Sequence, residues 1–182
     1  MKGIIFTEFL DLVETKFGIE MVDKIISQSE LESGGVYTSV GTYDFGEMLQ
    51  LVTHLSNNTD IAPDDLLLVY GEHLFSALRK SYPELIESYK NPLDLLASIE
   101  NHIHIEVRKI YPDAELPTFE VLERTEDKLV LLYKSSRALY SLGLGLMQET
   151  FAHFNTTYNI EMQKLNEEGT EVRYSILSHA VQ

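Results

Sequence analysis

The sequence predicts an α+β fold, with a helical N-terminal half and a small C-terminal antiparallel sheet crossed by a helix. From the N-terminus to about residue 110, apolar residues recur at spacings of three and four, the period of amphipathic helices. After Pro112 they fall into short alternating runs separated by charged or Gly-containing turns, which is typical of β-hairpins. The change near Pro112 therefore divides a layer of helices from a sheet.

Proline, glycine and capping residues mark the ends of the predicted helices. A loop rich in Gly, Ser and Thr is expected over residues 33–43, and a short element around Leu85 and Ile86. The predicted helices cover residues 3–17, 21–26, 44–56 and 63–82, and a long helix is predicted over 93–110. Gly18 ends the first helix, Asp44 caps the third and Asn57–Asp60 breaks it, and Pro63 begins the fourth.

The second half predicts two hairpins and one helix. Residues 117–122 and 129–133 flank a charged turn, and residues 156–163 and 171–178 flank a turn that ends at Gly169. A helix over 142–154 connects the hairpins. It begins with Gly143 and Gly145, which indicates that another group approaches its backbone closely.

Composition limits the classes of function. The chain has 182 residues, enough for one domain with a substantial core, and a net charge of −15, which disfavours binding to nucleic acid or to anionic membranes. It contains no Cys, so disulfides and thiolate metal sites are excluded. We find no apolar run long enough to span a membrane and no signal-peptide cleavage pattern, and we expect a cytoplasmic protein.

Tyr133, Ser135 and Arg137 follow a predicted strand at positions i, i+2 and i+4. In extended backbone this spacing places a phenol, a hydroxyl and a guanidinium on one face. Such a row of donors suits carboxylates, since a guanidinium binds a carboxylate through two parallel hydrogen bonds. The alternative is the solvated face of an edge strand.

His102 and His104 lie on the predicted long helix, where residues two apart point in nearly opposite directions. The sequence lacks the two-His pattern of helical zinc proteases, so a zinc site has little support. A single His can still ligate a haem iron, because the porphyrin supplies the other donors. The alternative is a hydrogen-bonded or solvated helix residue, and periodicity does not choose between the two.

Several segments together resemble the haem nitric oxide/oxygen-binding (H-NOX) family, which includes bacterial gas sensors and the haem domain of soluble guanylate cyclase. The resemblance rests on MKGIIF at the N-terminus, Gly71, the segment His104–Pro112, Pro117, and the Tyr-x-Ser-x-Arg pattern beginning at Tyr133. It covers essentially the whole chain. The eight-residue spacing to Pro112 selects His104 over His102 as the proximal ligand, and no appended signalling domain is recognisable.

The resemblance implies haem b as the cofactor, with His104 as the axial ligand of the iron and with Tyr133, Ser135 and Arg137 on the propionates. It also implies that Ile5 and Pro117 press on the macrocycle. Residues expected in the haem pocket are Ile5, Phe9, Leu74, Leu78, Pro117, Leu142 and Leu146. Gly71 is expected to face His104 and leave room for its movement. For each pocket residue the alternative is ordinary core, and for Gly71 it is helix packing.

The implied function is a non-enzymatic nitric oxide sensor that also binds carbon monoxide. By resemblance, the ligand weakens or breaks the His104–iron bond, and the resulting shift regulates a sensor histidine kinase or a cyclic-di-GMP enzyme. Oxygen-binding relatives carry a distal Tyr where this chain has Leu142, while Tyr140 is expected to face elsewhere.

One domain over 1–182 is expected, with a distal subdomain at 1–60 and a proximal one at 61–182. The alternatives are a haem-dependent enzyme or a haem-free interaction module.

Overall fold

A computed structural model describes residues 1–179, and residues 180–182 lie outside the described part. Within it, helices fill the N-terminal half and four strands lie near the C-terminus. The elements are α1 (Gly3–Phe17), α2 (Ile19–Gln28), α3 (Phe45–Thr59), α4 (Pro63–Ser81), α5 (Pro83–Glu87), α6 (Pro92–Ala97), a π-helical segment (Ile99–Ile103), α7 (His104–Ile110), β1 (Thr118–Arg124), β2 (Lys128–Lys134), α8 (Tyr140–His153), β3 (Thr157–Lys164) and β4 (Glu171–His179). The predicted α+β class is confirmed.

The predicted cap of α3 is confirmed, and the helix ends within the predicted break Asn57–Asp60, at Thr59. The Asp44 carboxylate accepts a hydrogen bond from the Gly46 N–H at 2.5 Å. The helix continues through Asn57 and Asn58, and the residue after its end, Asp60, adopts a left-handed conformation with φ of 58°. Asn58 is accommodated because its side-chain amide donates to the His54 carbonyl one turn earlier.

The prediction of one regular helix over residues 93–110 is wrong, because the helix is interrupted. Helix α6 ends at Ala97, and the N–H groups of His102 and Ile103 both donate to the Ser98 carbonyl, at 2.9 and 3.2 Å. The bond from Ile103 spans five residues and defines a π turn, a wide turn that often occurs at functional sites. Sequence periodicity assumes 3.6 residues per turn and cannot show this extra residue.

The loop between α2 and α3 is fastened by a buried carboxylate on α3. Glu47 accepts hydrogen bonds from the Ser33 backbone and hydroxyl and from the Tyr37 hydroxyl, at 3.1, 2.5 and 2.6 Å. Burial alone would raise the pKa of Glu47, but these hydrogen bonds outweigh it and hold the pKa below its usual value. The same loop carries Gly41, whose carbonyl accepts from the Gly3 N–H at the start of α1.

The sheet is antiparallel with the order β1-β2-β4-β3, so both predicted hairpins are confirmed. The pairing of β2 with β4 joins them, and it places Tyr133 opposite Val172. Tyr133 also lies opposite Phe119 of β1. One face of β2 is therefore covered by aromatic and aliphatic side chains at the centre of the sheet.

Helix α8 packs against both the sheet and α4. A Cβ atom on Gly145 would lie 2.0 Å from the Leu68 carbonyl oxygen, and one on Gly71 would lie 2.3 Å from the Leu142 carbonyl oxygen. Only glycine permits this contact between the two helix backbones. The close approach predicted from Gly143 and Gly145 is thus a contact with α4 at Gly145, whereas a Cβ atom on Gly143 would lie 3.2 Å from the Tyr174 hydroxyl. Within residues 1–179, no helix combines the length and apolar composition needed to cross a membrane.

Candidate functional site

A cavity of about 300 Å³ lies between the helices and the sheet. This volume is at the lower end of the roughly 300–1,000 Å³ typical of small-molecule and cofactor sites. Residues of α1, α4, the π segment, α7, β1 and α8 line it, and most of them are apolar. Those predicted from the sequence and present in the lining are Ile5, Leu74, Leu78, Pro117, Leu142 and Leu146.

One predicted pocket residue, Phe9, and the glycine predicted to face His104, Gly71, lie elsewhere. Phe9 does not line the cavity; its side chain is fully buried in the N-terminal core, where its ring packs edge-on against Tyr70 at 5.4 Å. Gly71 also lies outside the lining and contacts the backbone of α8. The expectation that Gly71 faces His104 is therefore wrong, and helix packing explains this glycine.

His104 lines the cavity together with Ile99, Ile103 and Val107. The π turn just before it brings Ile99 and His104 to the same wall, although a regular helix of 3.6 residues per turn would separate them further around the axis. His104 is 8% exposed, and its ring packs near Phe119 at 6.1 Å. The imidazole is thus fixed in an apolar surface.

The Glu100 carboxylate orients His104. The Nδ1 atom of His104 lies 2.9 Å from Oε1 of Glu100, and since an ionised carboxylate only accepts, Nδ1 carries the proton. The same oxygen accepts from the Phe119 N–H at 3.0 Å, which holds the carboxylate at the start of β1. Burial lowers the pKa of His104 and outweighs the opposing effect of Glu100, so the ring is neutral and Nε2 has a free lone pair.

Glu100 is not among the residues predicted from the sequence. Its position four residues before His104 is a usable signal, because side chains at i and i+4 meet on one face of a helix. His102 takes a different environment, where Nδ1 contacts the Tyr89 hydroxyl, and it does not line the cavity. Of the two histidines singled out in the sequence, only His104 is placed to act as a ligand inside the cavity.

Tyr133, Ser135 and Arg137 all line the cavity, but not as one extended face. Strand β2 ends at Lys134, and the chain then turns, with the Arg137 N–H donating to the Ser135 hydroxyl oxygen at 3.2 Å. The expectation of continuous extended backbone is therefore wrong. A turn of this kind brings the three side chains together through local hydrogen bonding, which strand periodicity does not describe.

The three side chains provide donors at one end of the cavity. Burial raises the pKa of Tyr133, so its phenol remains protonated. The guanidinium of Arg137 donates to the Glu115 carbonyl at 2.7 Å and forms an ion pair with the Glu115 carboxylate. The Glu115 side chain is 81% exposed and that of Arg137 only 17%, so Glu115 can leave without disturbing the buried part of the cavity.

Tyr140 points away from the cavity, as expected. Its hydroxyl donates to the Asp64 carboxylate at 2.9 Å, and Lys164 lies over its ring at 5.1 Å. On the cavity side of α8, the hydroxyl of Thr150 donates to the Leu146 carbonyl at 2.8 Å. The hydroxyls of α8 nearest the cavity are therefore already bonded to protein groups.

These features match the chemistry of a haem. A haem has an apolar ring, an iron that needs an axial donor and two propionates that need cations or hydroxyls. The cavity offers apolar walls, the Nε2 lone pair of His104 and the donors of Tyr133, Ser135 and Arg137. The fold and the cavity together define a haem-binding domain.

Comparison with known proteins identifies the family. The family model described as Haem-NO-binding matches residues 2–162, and the chain therefore belongs to this family of haem-binding gas-sensor domains. Members of this family bind haem and gaseous ligands such as nitric oxide and carbon monoxide.

Solved structures agree with this assignment. The unliganded Fe(II) H-NOX protein mutant A71G from K. algicida is 66% identical, with a TM-score of 0.96 over 98% of this chain and 97% of that chain. The H-NOX protein from Shewanella woodyi, solved bound to IWP-051 in the Fe(II)CO state, is 36% identical, with a TM-score of 0.82 over 97% and 94% of the two chains.

A curated relative is soluble guanylate cyclase gcy-35 from Caenorhabditis elegans. It is 24% identical over 173 residues, which cover 92% of this chain. The match covers only 25% of the cyclase, so the present chain spans about a quarter of that relative's length.

Proposed function

We propose that this protein is a nitric oxide sensor that binds haem b through His104. The observation that carries the proposal is the neutral imidazole in the cavity wall, with Nδ1 held by Glu100 and Nε2 free. When bound, haem would supply an iron that His104 holds and that can bind a diatomic gas. The Tyr133, Ser135 and Arg137 side chains would hold the propionates, and Ile5 and Pro117 would press on the ring.

Nitric oxide and carbon monoxide are the ligands we assign to this site. Oxygen bound to ferrous haem carries negative charge on its outer atom and is stabilised by a hydrogen-bond donor, whereas nitric oxide binds ferrous iron strongly without one. Leu142 and Leu146 of α8 present apolar side chains to the cavity, and Tyr140 is engaged with Asp64. This arrangement supports a sensor that excludes oxygen, and it disfavours a haem enzyme, which needs acid–base groups at the open position.

We infer that the signal leaves the cavity through the π segment and α7. Release of His104 from the iron would free a short helix, His104–Ile110, that is joined to α6 by an irregular turn at Ser98. In the proposed scheme residues 1–60 form the distal subdomain and residues 61–182 the proximal one, and their relative shift regulates a partner. A sensor histidine kinase or a cyclic-di-GMP enzyme in the cytoplasm is the proposed partner, and the net charge of −15 favours a basic docking patch on it.

Substitution of the two histidines tests the proposal. We expect His104→Gly to lose haem or to retain it only with added imidazole, which restores a nitrogen donor. His102→Ala should keep the wild-type absorption spectrum, because His102 contacts Tyr89 outside the cavity lining. Both variants are expressed with excess haem, and the Soret band is measured with and without imidazole.

The spectra also separate the alternatives. A haem-free interaction module would show no Soret band in the wild-type protein, and loss of haem in His102→Ala but not in His104→Gly would refute the ligand assignment. Addition of nitric oxide to the ferrous wild-type protein should shift the Soret band, and the absence of a shift would refute the sensor.

A further inference from the structure

A second group of metal-ligating side chains lies outside the haem cavity, on the surface where α1 meets α4. Glu8 and Asp11 are three residues apart and share one face of α1, and His73 faces them from α4. The Nε2 atom of His73 lies 3.3 Å from a Glu8 carboxylate oxygen and 3.5 Å from one of Asp11. All three ligand atoms lie within 4.8 Å of one another.

These separations are those of ligands around a metal ion. Ion-to-ligand distances of about 2.0–2.1 Å in a tetrahedral zinc site place neighbouring ligand atoms roughly 3.3 Å apart. A charge-assisted hydrogen bond is shorter, at about 2.7–2.9 Å. Within the same chain, the contact of His104 with Glu100 has that length, 2.9 Å, whereas His73 lies 3.3 Å from Glu8, at the long end of a hydrogen bond, and 3.5 Å from Asp11.

Charge and burial favour the same interpretation. Two carboxylates converge on one imidazole nitrogen in a chain of net charge −15, so the cluster carries more negative than positive charge. The side chains of His73 and Glu8 are only 23% and 26% exposed, whereas that of Asp11 is 65% exposed. Two ligands are thus held in place by packing, and the third leaves the site open to an ion and a water molecule from solvent.

We propose that Glu8, Asp11 and His73 bind a divalent cation of the zinc class. One imidazole nitrogen and two carboxylate oxygens are a ligand set that zinc accepts, and a water molecule completes four-coordination. Because the ligands come from two helices, the ion fastens α1 to α4. Both helices also line the haem cavity, through Ile5 and Leu74, and the Tyr70 hydroxyl of α4 donates to the Ile5 carbonyl at 2.5 Å. The ion therefore stiffens one wall of that cavity.

Calorimetric titration of the haem-loaded, untagged full chain with ZnCl₂ tests the site. We expect one binding event whose Kd rises at least about 10-fold in His73→Gln and in Asp11→Asn, since even the loss of an outer-shell partner weakens metal sites 10- to 100-fold. Asp11 is largely exposed, so Asp11→Asn keeps the test valid if His73→Gln folds poorly. Zinc should also raise the Tm of the wild-type protein, and less so that of the two variants.

Two matched variants serve as controls. His54→Gln removes a partly exposed histidine from α3, and Glu14→Gln removes an exposed carboxylate from α1, and neither should change the zinc Kd. Absence of zinc binding to the wild-type protein would overturn the proposal and leave the cluster an ion pair. Equal zinc affinity in the wild type, His73→Gln and Asp11→Asn would also overturn it, because the ion would then bind elsewhere.

Discussion

Removal of the Glu100 carboxylate should weaken haem binding by loosening His104. In the structure Nδ1 of His104 donates to Glu100 across 2.9 Å, in a site where the histidine is 8% exposed. A hydrogen bond to a charged group contributes about 1.5–3 kcal/mol. Converted at about 1.4 kcal/mol per tenfold, this predicts that Glu100→Ala loses haem roughly 10- to 100-fold faster, the range found for outer-shell partners of metal ligands.

The assay is transfer of haem to excess apomyoglobin, combined with the iron–histidine stretching frequency from resonance Raman spectroscopy. We expect Glu100→Ala to lower that frequency, because a neutral imidazole without its acceptor is a weaker base. Glu100→Gln keeps a carbonyl acceptor without the charge and should give an intermediate value. Glu106→Gln, which removes the partner of Lys109 on α7, is the matched control and should change neither quantity.

The same measurements distinguish an electronic role from a structural one. Glu100 also accepts from the Phe119 N–H at 3.0 Å, so Glu100→Ala is expected to lower the Tm as well. A lower Tm with an unchanged stretching frequency and an unchanged rate of haem loss would refute the proposed orientation of His104, and would leave Glu100 as an anchor of β1 only.

Three further predictions test other parts of the structure. Arg137→Ala should accelerate haem transfer to apomyoglobin more than Ser135→Ala, with a cost of roughly 2–5 kcal/mol typical of breaking a buried charge-assisted contact; equal rates would contradict the propionate assignment. Glu47→Gln should lower the free energy of unfolding at pH 7 by about 1–3 kcal/mol. Because the pKa of Glu47 is lowered in the folded state, its carboxylate stabilises the fold above the unfolded-state pKa, and this contribution is lost as the pH falls through the lowered folded-state pKa. Urea titrations of the wild type and the variant should therefore converge at acidic pH, and a pH-independent difference would contradict this role of Glu47. Gly145→Ala should cost about 1–3 kcal/mol in urea unfolding, because its Cβ would lie 2.0 Å from the Leu68 carbonyl oxygen, and an unchanged midpoint would exclude tight backbone packing there.

The elements that depend on local signals were predictable from the sequence. Asp44 and Pro63 begin helices because a side-chain oxygen and a fixed φ angle act on the nearest turn. Both hairpins follow from alternation between turn residues, and Gly169 supplies the positive φ of 72° that the second turn needs. Such signals involve only a few neighbouring residues, so a single sequence contains them.

The π segment could not be predicted in the same way. Ile99, Ile103 and Val107 fit the period of a regular helix, and nothing in the residue types distinguishes a turn with one extra residue. The turn is compatible with the surrounding packing, in which Ile99 and His104 share the cavity wall and Phe119 donates to Glu100. The hydrogen bond from Phe119 to Glu100 links residues 19 positions apart, and its geometry is set by tertiary structure.

The residues of the candidate site show the same difference between what local sequence signals predict and what tertiary packing decides. The family resemblance and apolar character together predicted residues such as Leu142 and Pro117 in the cavity lining, but Phe9 was predicted in the same way and packs against Tyr70 instead. Hydrophobicity indicates that a side chain is buried, but it does not indicate which of two neighbouring cores contains that side chain. Gly71 shows the same limit, because a glycine that permits close approach does not reveal which group approaches.

The selectivity of the proposed sensor depends on where the hydroxyl groups of α8 point. Tyr140 and Leu142 are two residues apart, so a helix turns them to different sides. Tyr140 donates to Asp64 at 2.9 Å, and Leu142 lines the cavity. Thr150, further along the same helix, donates to the Leu146 carbonyl. In this arrangement α8 offers the cavity no unengaged hydroxyl to stabilise oxygen on the iron.

We therefore expect the ferrous protein to form no stable oxygen complex in air, yet to bind nitric oxide and carbon monoxide. Absorption spectra of the dithionite-reduced, desalted protein under argon, air and each of the other two gases provide the measurement. Tyr140→Phe is the matched control and should give the same four spectra, because it removes a hydroxyl that faces Asp64 and not the cavity. A stable oxygen complex in the wild type that disappears in Tyr140→Phe would show that the Tyr140 hydroxyl leaves Asp64 and reaches the gas. That result would refute the proposal that the site excludes oxygen.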